Sequence, residues 1–333
     1  MIDEPLLVKD LGEHGLLKKL QSYCPREIIG DDGAVLGITP GKSLVVTTDV
    51  LVDGVHFSDR TTTAFDVGWR AAAANLSDLA AMGANPLGIT VGLSLPGEKA
   101  VDWVEKLYQG MKACLEVYGT SIVGGDICRS AVTSIAITAF GEVLPTRIIR
   151  RSNAKPGDVI VITGLHGLSR GGLEILLDSS KSKNLEFQER ERLIEAHQRP
   201  KPRLDVLPYL AQIPENIAIS GMDSSDGLAD AIKQICSYSG VGATINGENL
   251  HIFSGLTKLA GLAKAGEWLL YGGEDFELVL SLPLNFALSL VENLSFDAAI
   301  IGEITQGCEI KIINGKSHSF QLTLNEAQGF QHF

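Results

Sequence analysis

The sequence predicts a two-domain α/β protein, and three observations carry that expectation: its length, its supply of apolar residues, and the alternation of β-branched runs with helical patterns. At about 150 residues per domain, 333 residues make roughly two domains, and 45% hydrophobic residues are enough to build two cores. Charged residues at 20% and a mean hydropathy of +0.16 lie far from the composition of disordered chains. Thirty-six glycines call for many turns and close backbone approaches, without the period of a fibrous protein.

The elements follow in order. A short amphipathic helix carries Leu6, Leu7, Leu11, Leu16, Leu17 and Leu20, interrupted by Gly12 and Gly15. The loop PREIIGDDGAVL leads to the strand SLVVTTDVLV, whose β-branched residues favour a pleated surface. Residues 65–83 read as a helix stopped by Gly83 and the Asn85-Pro86 pair. A strand LGITVGLSL, a helix over 100–117, and strands at IVGG and TSIAITAFGEV complete the first half. A boundary is expected between Glu142 and Gly157, which divides the chain into 1–145 and 146–333. The second half holds the strand VIVITG, a charged helix over 184–198, the corner RPKPR, a helix from Leu228 to about Ser237, and GGEDFELVLSL as a turn feeding a strand.

The charge balance excludes some functions. Twenty-eight basic against 40 acidic side chains give a net charge of −12, which repels a nucleic-acid backbone. No run of about 18 apolar residues is present, and the first twenty residues mix acids with lysines, so neither a membrane span nor a signal peptide is expected and the reading is cytoplasmic. Cys24, Cys114, Cys128, Cys236 and Cys308 are odd in number and form no CxxC pair, which suggests neither a disulfide framework nor a zinc site.

Chemistry is concentrated in the placement of acidic residues. Asp31, Asp32, Asp49, Asp53, Asp78, Asp126, Asp223, Asp226, Glu274 and Asp275 mostly follow an apolar run or a glycine pair, at strand ends and helix mouths where α/β proteins gather ligands. Taken singly each is a turn residue or a helix cap; their repetition points elsewhere. Asn75 and Asp78 share one face of an otherwise apolar helix, and a carboxylate there is costly unless it meets a cation or donors, so Asp78 is the leading metal candidate. Oxygen ligands of this kind suit Mg²⁺, which joins acidic side chains to anionic phosphates. Arg151, near Arg147 and Arg150, is either a phosphate contact or a solvated linker charge. GKS at Gly41–Ser43 is not a Walker A loop, because Leu36 stands at the first glycine position and a strand follows. HExxH and HRD motifs are missing from the sequence, which weighs against metalloproteases and protein kinases.

Seven segments in order, IGDDGAVL, TTDVLVDGVHF, NLSDLAAMGANP, IVGGDICRS, RRSNAKPGD, DSSDGLADAI and GGEDFELV, closely resemble the thiamine-monophosphate kinase family, within the superfamily of aminoimidazole ribonucleotide synthetase. The resemblance implies a PurM-like fold, with an N-terminal α/β domain forming a dimer-spanning β-barrel, a C-terminal α/β domain, and ATP between the domains. It implies ATP-dependent phosphorylation of thiamine monophosphate to thiamine diphosphate, the final step of that cofactor's synthesis, in a homodimer using several Mg²⁺ ions. Carried over by motif, Asp32, Thr47, Thr48, Asp49, Asp78, Asp126, Asp223 and Asp226 are metal ligands; Gly125, Asp126, Arg151 and Ser225 contact ATP; His56, Glu274 and Phe330 contact the thiamine compound. No residue is expected as a covalent nucleophile or general base. The chain departs from the family with Phe330 where Trp or Tyr is common, and with Ile127 and Cys128 where two threonines usually stand. Two rivals remain at this stage: a synthetase of the same superfamily, and a non-catalytic metal-binding protein with an acidic cleft.

Overall fold

The computed structural model describes residues 5–29, 31–294 and 297–313. The chain divides into two compact units, one of Met1–Leu79 with Asn85–Glu142, the other of Ala80–Ala84 with Val143–Phe333. Each is built around one sheet.

In the first unit, α1 (Val8–Leu20) precedes β1 (Ser43–Val52), α2 (Ala64–Ala81), β2 (Asn85–Leu95), α3 (Val101–Val117), β3 (Ile122–Arg129) and β4 (Ser134–Val143). The sheet order is β1-β4-β2-β3, so β1 and β3 lie at opposite edges. β2 runs antiparallel to β4 and parallel to β3, with Gly92 beside both Ala136 and Asp126. Period-2 alternation buries Ile89, Val91, Leu93 and Leu95 of β2 with Ile135, Ile137 and Ala139 of β4, and leaves Thr90, Gly92, Thr138 and Ala136 on the opposite face. The first helix is bent at Gly12 (φ +72°), whereas Gly15 stays helical. The Asn85-Pro86 pair, expected to follow a helix stop, opens β2, with Asn85 opposite Glu142.

Two glycines set the distance between α2 and α3. A Cβ at Gly68 would lie 1.9 Å from the Leu107 carbonyl oxygen, and one at Gly110 would lie 1.8 Å from that of Phe65. The backbones therefore touch, and the run Ala71–Ala74 keeps the rest of α2 slim and buried. Near the end of β4, the Glu142 carboxylate gathers the turn before β1: it accepts from Lys42 Nζ (2.7 Å), Thr39 N (2.8 Å) and Thr39 Oγ1 (2.9 Å). The Lys42 hydrogen bond, helped by those of Thr39, holds the Glu142 carboxyl down at about 2.

The second unit contains β5 (Val159–Ile162), α4 (Leu168–Leu177), α5 (Phe187–Gln198), α6 (Leu207–Leu210), β6 (Ser220–Asp223), α7 (Leu228–Ser239), β7 (Gly242–Asn246), α8 (Ser254–Ala260), α9 (Leu262–Tyr271), β8 (Leu278–Leu282), α10 (Leu284–Asn293), β9 (Ala299–Thr305) and β10 (Ile310–Ile313). Its six strands run in the order β10-β7-β9-β5-β8-β6, with β7 and β10 parallel and the other pairs antiparallel. Ile160 and Ile162 point to one face, where Leu228, Ile232 and Ile235 of α7 pack; Val161, Leu278 and Leu280 point to the other, against α6 and α10. Each fully buried Leu or Ile stabilises by about 1.5–3 kcal/mol, so both faces of this sheet hold a helix layer in place. The charged helix expected over 184–198 begins at Phe187, because Glu186 N donates to the Glu189 carboxylate three residues on and fixes the start.

Candidate active site

In the first unit the site grows from the interlock of β1 and α2. Alternation along β1 turns Thr47 and Asp49 to one face and Thr48 to the other. Thr47 Oγ1 donates to Asp78 Oδ2 of α2. Asp49 N donates to Asn75 Oδ1 (3.2 Å), and the Asn75 amide in turn donates to the Ala71 carbonyl (3.0 Å), so this buried Asn is fixed by its own helix. Asn75 and Asp78 thus use their shared face to meet β1. Thr48, on the open face, shares a hydrogen bond with Thr138 (2.8 Å).

His56 sits in the turn after β1, where its Nδ1 accepts from Val52 N (3.0 Å); the ring proton is therefore assigned to Nε2. Asp32 is exposed in the loop before β1. Gly125 and Asp126 are exposed on β3, and a Cβ at Gly125 would come 2.3 Å from the Val91 carbonyl oxygen, so only glycine fits there. Cys128 contacts Ser94 Oγ through its sulfur at 3.1 Å. Asp126 does not share the β1/α2 interlock. Three strand spacings of about 4.8 Å set the β3 backbone ~14 Å from that of β1 within one chain.

The second unit supplies a different set. Asp223 ends β6 and is buried; its Oδ1 accepts from Ser225 Oγ (3.1 Å). Asp226 is exposed in the turn that leads through Gly227 (φ +102°) into α7. The DSSDG and GGEDFE segments are tied to each other twice: Glu274 N donates to the Ser225 carbonyl (2.7 Å), and Ser224 N to the Glu277 carbonyl (2.8 Å). A Cβ at Gly273 would press on the Ser225 carbonyl oxygen at 2.6 Å, which explains the second glycine of GGED. Arg151 opens the short 3-10 turn Arg151–Asn153 before β5 and reaches the side of α7, where its Nη1 donates to Gln234 Oε1 (2.6 Å) and the guanidinium stands 5.9 Å from the Tyr238 ring centre. Phe330 lies outside the described residues.

Sequence reasoning counted Asp275 among the clustered acids without a specific role and missed Glu277, Arg203 and Thr163. Glu277 pairs with Arg203 and accepts from Thr163 Oγ1 (2.6 Å). The Asp275 carboxylate accepts from Gly167 N (2.6 Å) and Ser169 N (2.8 Å), at the start of α4. Burial pushes the Asp275 carboxyl up to about 7 despite these two donors, with the charges of Glu277 and Glu274 adding to the rise. One signal was present in the sequence: α4 opens with Gly167 at its cap position, so its first amides need an acceptor from elsewhere.

Among the described residues, no group of three or more His, Cys, Asp or Glu side chains is close enough to hold a metal ion by itself. Carboxylates stand instead beside hydroxyls, Asp78 with Thr47 and Asp223 with Ser225. Such all-oxygen groups fit Mg²⁺, which is usually held by one or two carboxylates with phosphate oxygens and water completing its shell. They do not make a closed protein cage.

Residues 30–143 match the family described as AIR synthase related protein, N-terminal domain, and residues 155–314 match its C-terminal domain. The thiamine-monophosphate kinase of Synechococcus elongatus is 48% identical over 330 residues, covering 98% of each chain, and that of Prochlorococcus marinus is 38% identical over 98% of this chain and 97% of its own. Among solved structures, AaThiL complexed with AMPPCP and TMP aligns with a TM-score of 0.76 at 31% identity, covering 99% of this chain and 100% of that one. The thiamine-monophosphate kinase of Stenotrophomonas maltophilia aligns with a TM-score of 0.78 at 33% identity, over 89% and 95%. The hydrogenase maturation protein HypE shares the fold, with a TM-score of 0.77 at 20% identity.

Proposed function

This chain belongs to the AIR synthase related proteins and, within them, to the thiamine-monophosphate kinases, and on that premise we propose that it transfers the γ-phosphate of ATP to thiamine monophosphate, giving thiamine diphosphate and ADP. The observation that carries this reading is the interlock of Thr47, Asp49, Asn75 and Asp78, which fixes carboxylate and hydroxyl oxygens on rigid elements without closing a cage around a metal. An incomplete oxygen set of this kind is complementary to a metal that arrives on phosphates, and phosphoryl transfer is the chemistry that uses one.

Asp32, Thr47, Thr48, Asp49, Asp78, Asp126, Asp223 and Asp226 would hold Mg²⁺, which when bound neutralises phosphate charge. Gly125, Asp126, Arg151 and Ser225 would contact ATP, with the Arg151 guanidinium available to a phosphate or to the base. The Glu274 carboxylate would face the cationic thiazolium, His56 would bind through Nε2, and Phe330 would pack on a ring of the same substrate. Residues 1–145 would form the ATP, metal and dimerisation domain, and 146–333 the C-terminal domain. The acceptor phosphate is already ionised near neutral pH, so no side chain need remove a proton from it. Transfer is direct and in line, and the protein contributes position and electrostatics.

Two features favour a homodimer. The open face of the first sheet exposes Leu44 (46%), Val46 (52%) and Val50 (49%) on an edge strand, an arrangement that a lone chain would leave prone to association. Asp126 also lies at the far edge from Asp49, so a metal shared by these two carboxylates would need a second copy to supply one of them. No described helix is long and apolar enough to cross a membrane, and all five cysteines are free; an ATP-driven reaction with free thiols fits the cytoplasm.

The test is incubation with ATP, Mg²⁺ and thiamine monophosphate, with ADP and thiamine diphosphate formed only when all three are present. ADP release without the thiamine ester, or a trapped phosphorylated side chain, contradicts the assignment. On the same sample, a solution mass of two chains is expected at micromolar concentration; a monomer removes the dimer.

A further inference from the structure

Asp275, between Glu274 and Glu277, is the acid that caps the start of α4. We propose that Asp275 is a positioning residue for substrate recognition: it anchors the 273–277 turn to the first turn of α4, so that the Glu274 carboxylate is presented in one fixed direction. The inference rests on reading Glu274 as the contact to the cationic substrate.

Glu274 (φ +67°) and Phe276 (φ +53°) both lie in the left-handed region, on either side of Asp275. Non-glycine residues are disfavoured there, and they persist only where the surroundings over-determine them. The strain sets the direction of the Glu274 side chain.

Two hydrogen bonds hold that strain. Both Asp275 oxygens are used, Oδ2 by Gly167 N and Oδ1 by Ser169 N, and the residue is buried. α4 has no side-chain cap of its own, so the carboxylate satisfies donors that would otherwise be orphaned, and the helix dipole favours its charge. The Glu274 N to Ser225 carbonyl bond clamps the turn from the other side. Glu274 is thus held between two rigid supports, with Asp275 as the covalently adjacent one.

Asp275→Asn replaces one acceptor oxygen by an amide donor facing a backbone N–H, which should release the turn without changing its size. The KM for thiamine monophosphate is expected to rise about tenfold, with the KM for ATP changing less than about twofold. A mutant cycle with Glu274→Gln separates positioning from general damage. If Asp275 acts through Glu274, the double variant has the same KM for thiamine monophosphate as Glu274→Gln alone. Multiplying effects, or a parallel rise of both KM values with a lowered unfolding midpoint, overturns the positioning role. A parental KM in Glu274→Gln instead refutes the reading of Glu274 itself. Should Asp275→Asn fail to fold, Asp275→Glu decides: it keeps both acceptor oxygens but adds a methylene, and a parental KM for thiamine monophosphate in that variant overturns the proposal.

Discussion

Asp78→Asn is expected to lower kcat by about three orders of magnitude, with little change in the unfolding midpoint. The substitution keeps the side chain's shape, and Thr47 Oγ1 can donate to the remaining amide oxygen as it does to Asp78 Oδ2. Asn75, one helical turn earlier, still accepts from Asp49 N, so β1 and α2 stay registered. What disappears is a charge that would hold Mg²⁺ against phosphate oxygens, and an amide oxygen is a far weaker ligand for that hard cation. Steady-state rates over a wide Mg²⁺ range, with thermal melts of the same preparations, make the check. Near-parental kcat at saturating Mg²⁺ would take Asp78 out of the mechanism.

The second large effect concerns stability. Gly110→Ala should destabilise the first unit by about 3 kcal/mol or more, because overpacking here cannot be relieved by turning a side chain. Its Cβ would stand 1.8 Å from the Phe65 carbonyl oxygen, where real contacts essentially never fall below 3.0 Å, so α2 and α3 must move apart. Gly68→Ala strains the same crossing from the other helix, at 1.9 Å from the Leu107 carbonyl. Since one separation relieves both clashes, the double variant should cost less than the sum of the single ones. Urea unfolding of the four proteins measures this, and parental stability in Gly110→Ala would mean the helices do not cross this closely. Activity should fall along with stability, because α2 carries Asn75 and Asp78.

Much of the local structure was legible. The β-branched run of SLVVTTDVLV and the alanine-rich stretch before Gly83 mark β1 and α2 to within a residue or two, since strand and helix propensity act over a few neighbours. The same alternation places Thr47 and Asp49 on one face and Thr48 on the other. The Asn75 and Asp78 pairing was legible too, as helical spacing requires it. Less legible was the second half. α4, α8, α9 and α10 carry weak end signals, and α4 takes its cap from Asp275, more than a hundred residues away in the chain.

By itself the sequence determined the order of motifs, the excess of acid, and the family to which the chain belongs, because these are properties of residue identity and short spacing. Only the tertiary structure decided that β1 and β3 stand at opposite edges of a sheet, which removes Asp126 from Asp49 within one chain. Only it showed that Gly68 and Gly110 meet facing backbones, and that strained Glu274 is braced through Asp275. The physical reason is common to all three: strand order, helix crossing and long-range capping are fixed by contacts between segments distant in sequence, and no local pattern encodes which distant partner will satisfy a given backbone group.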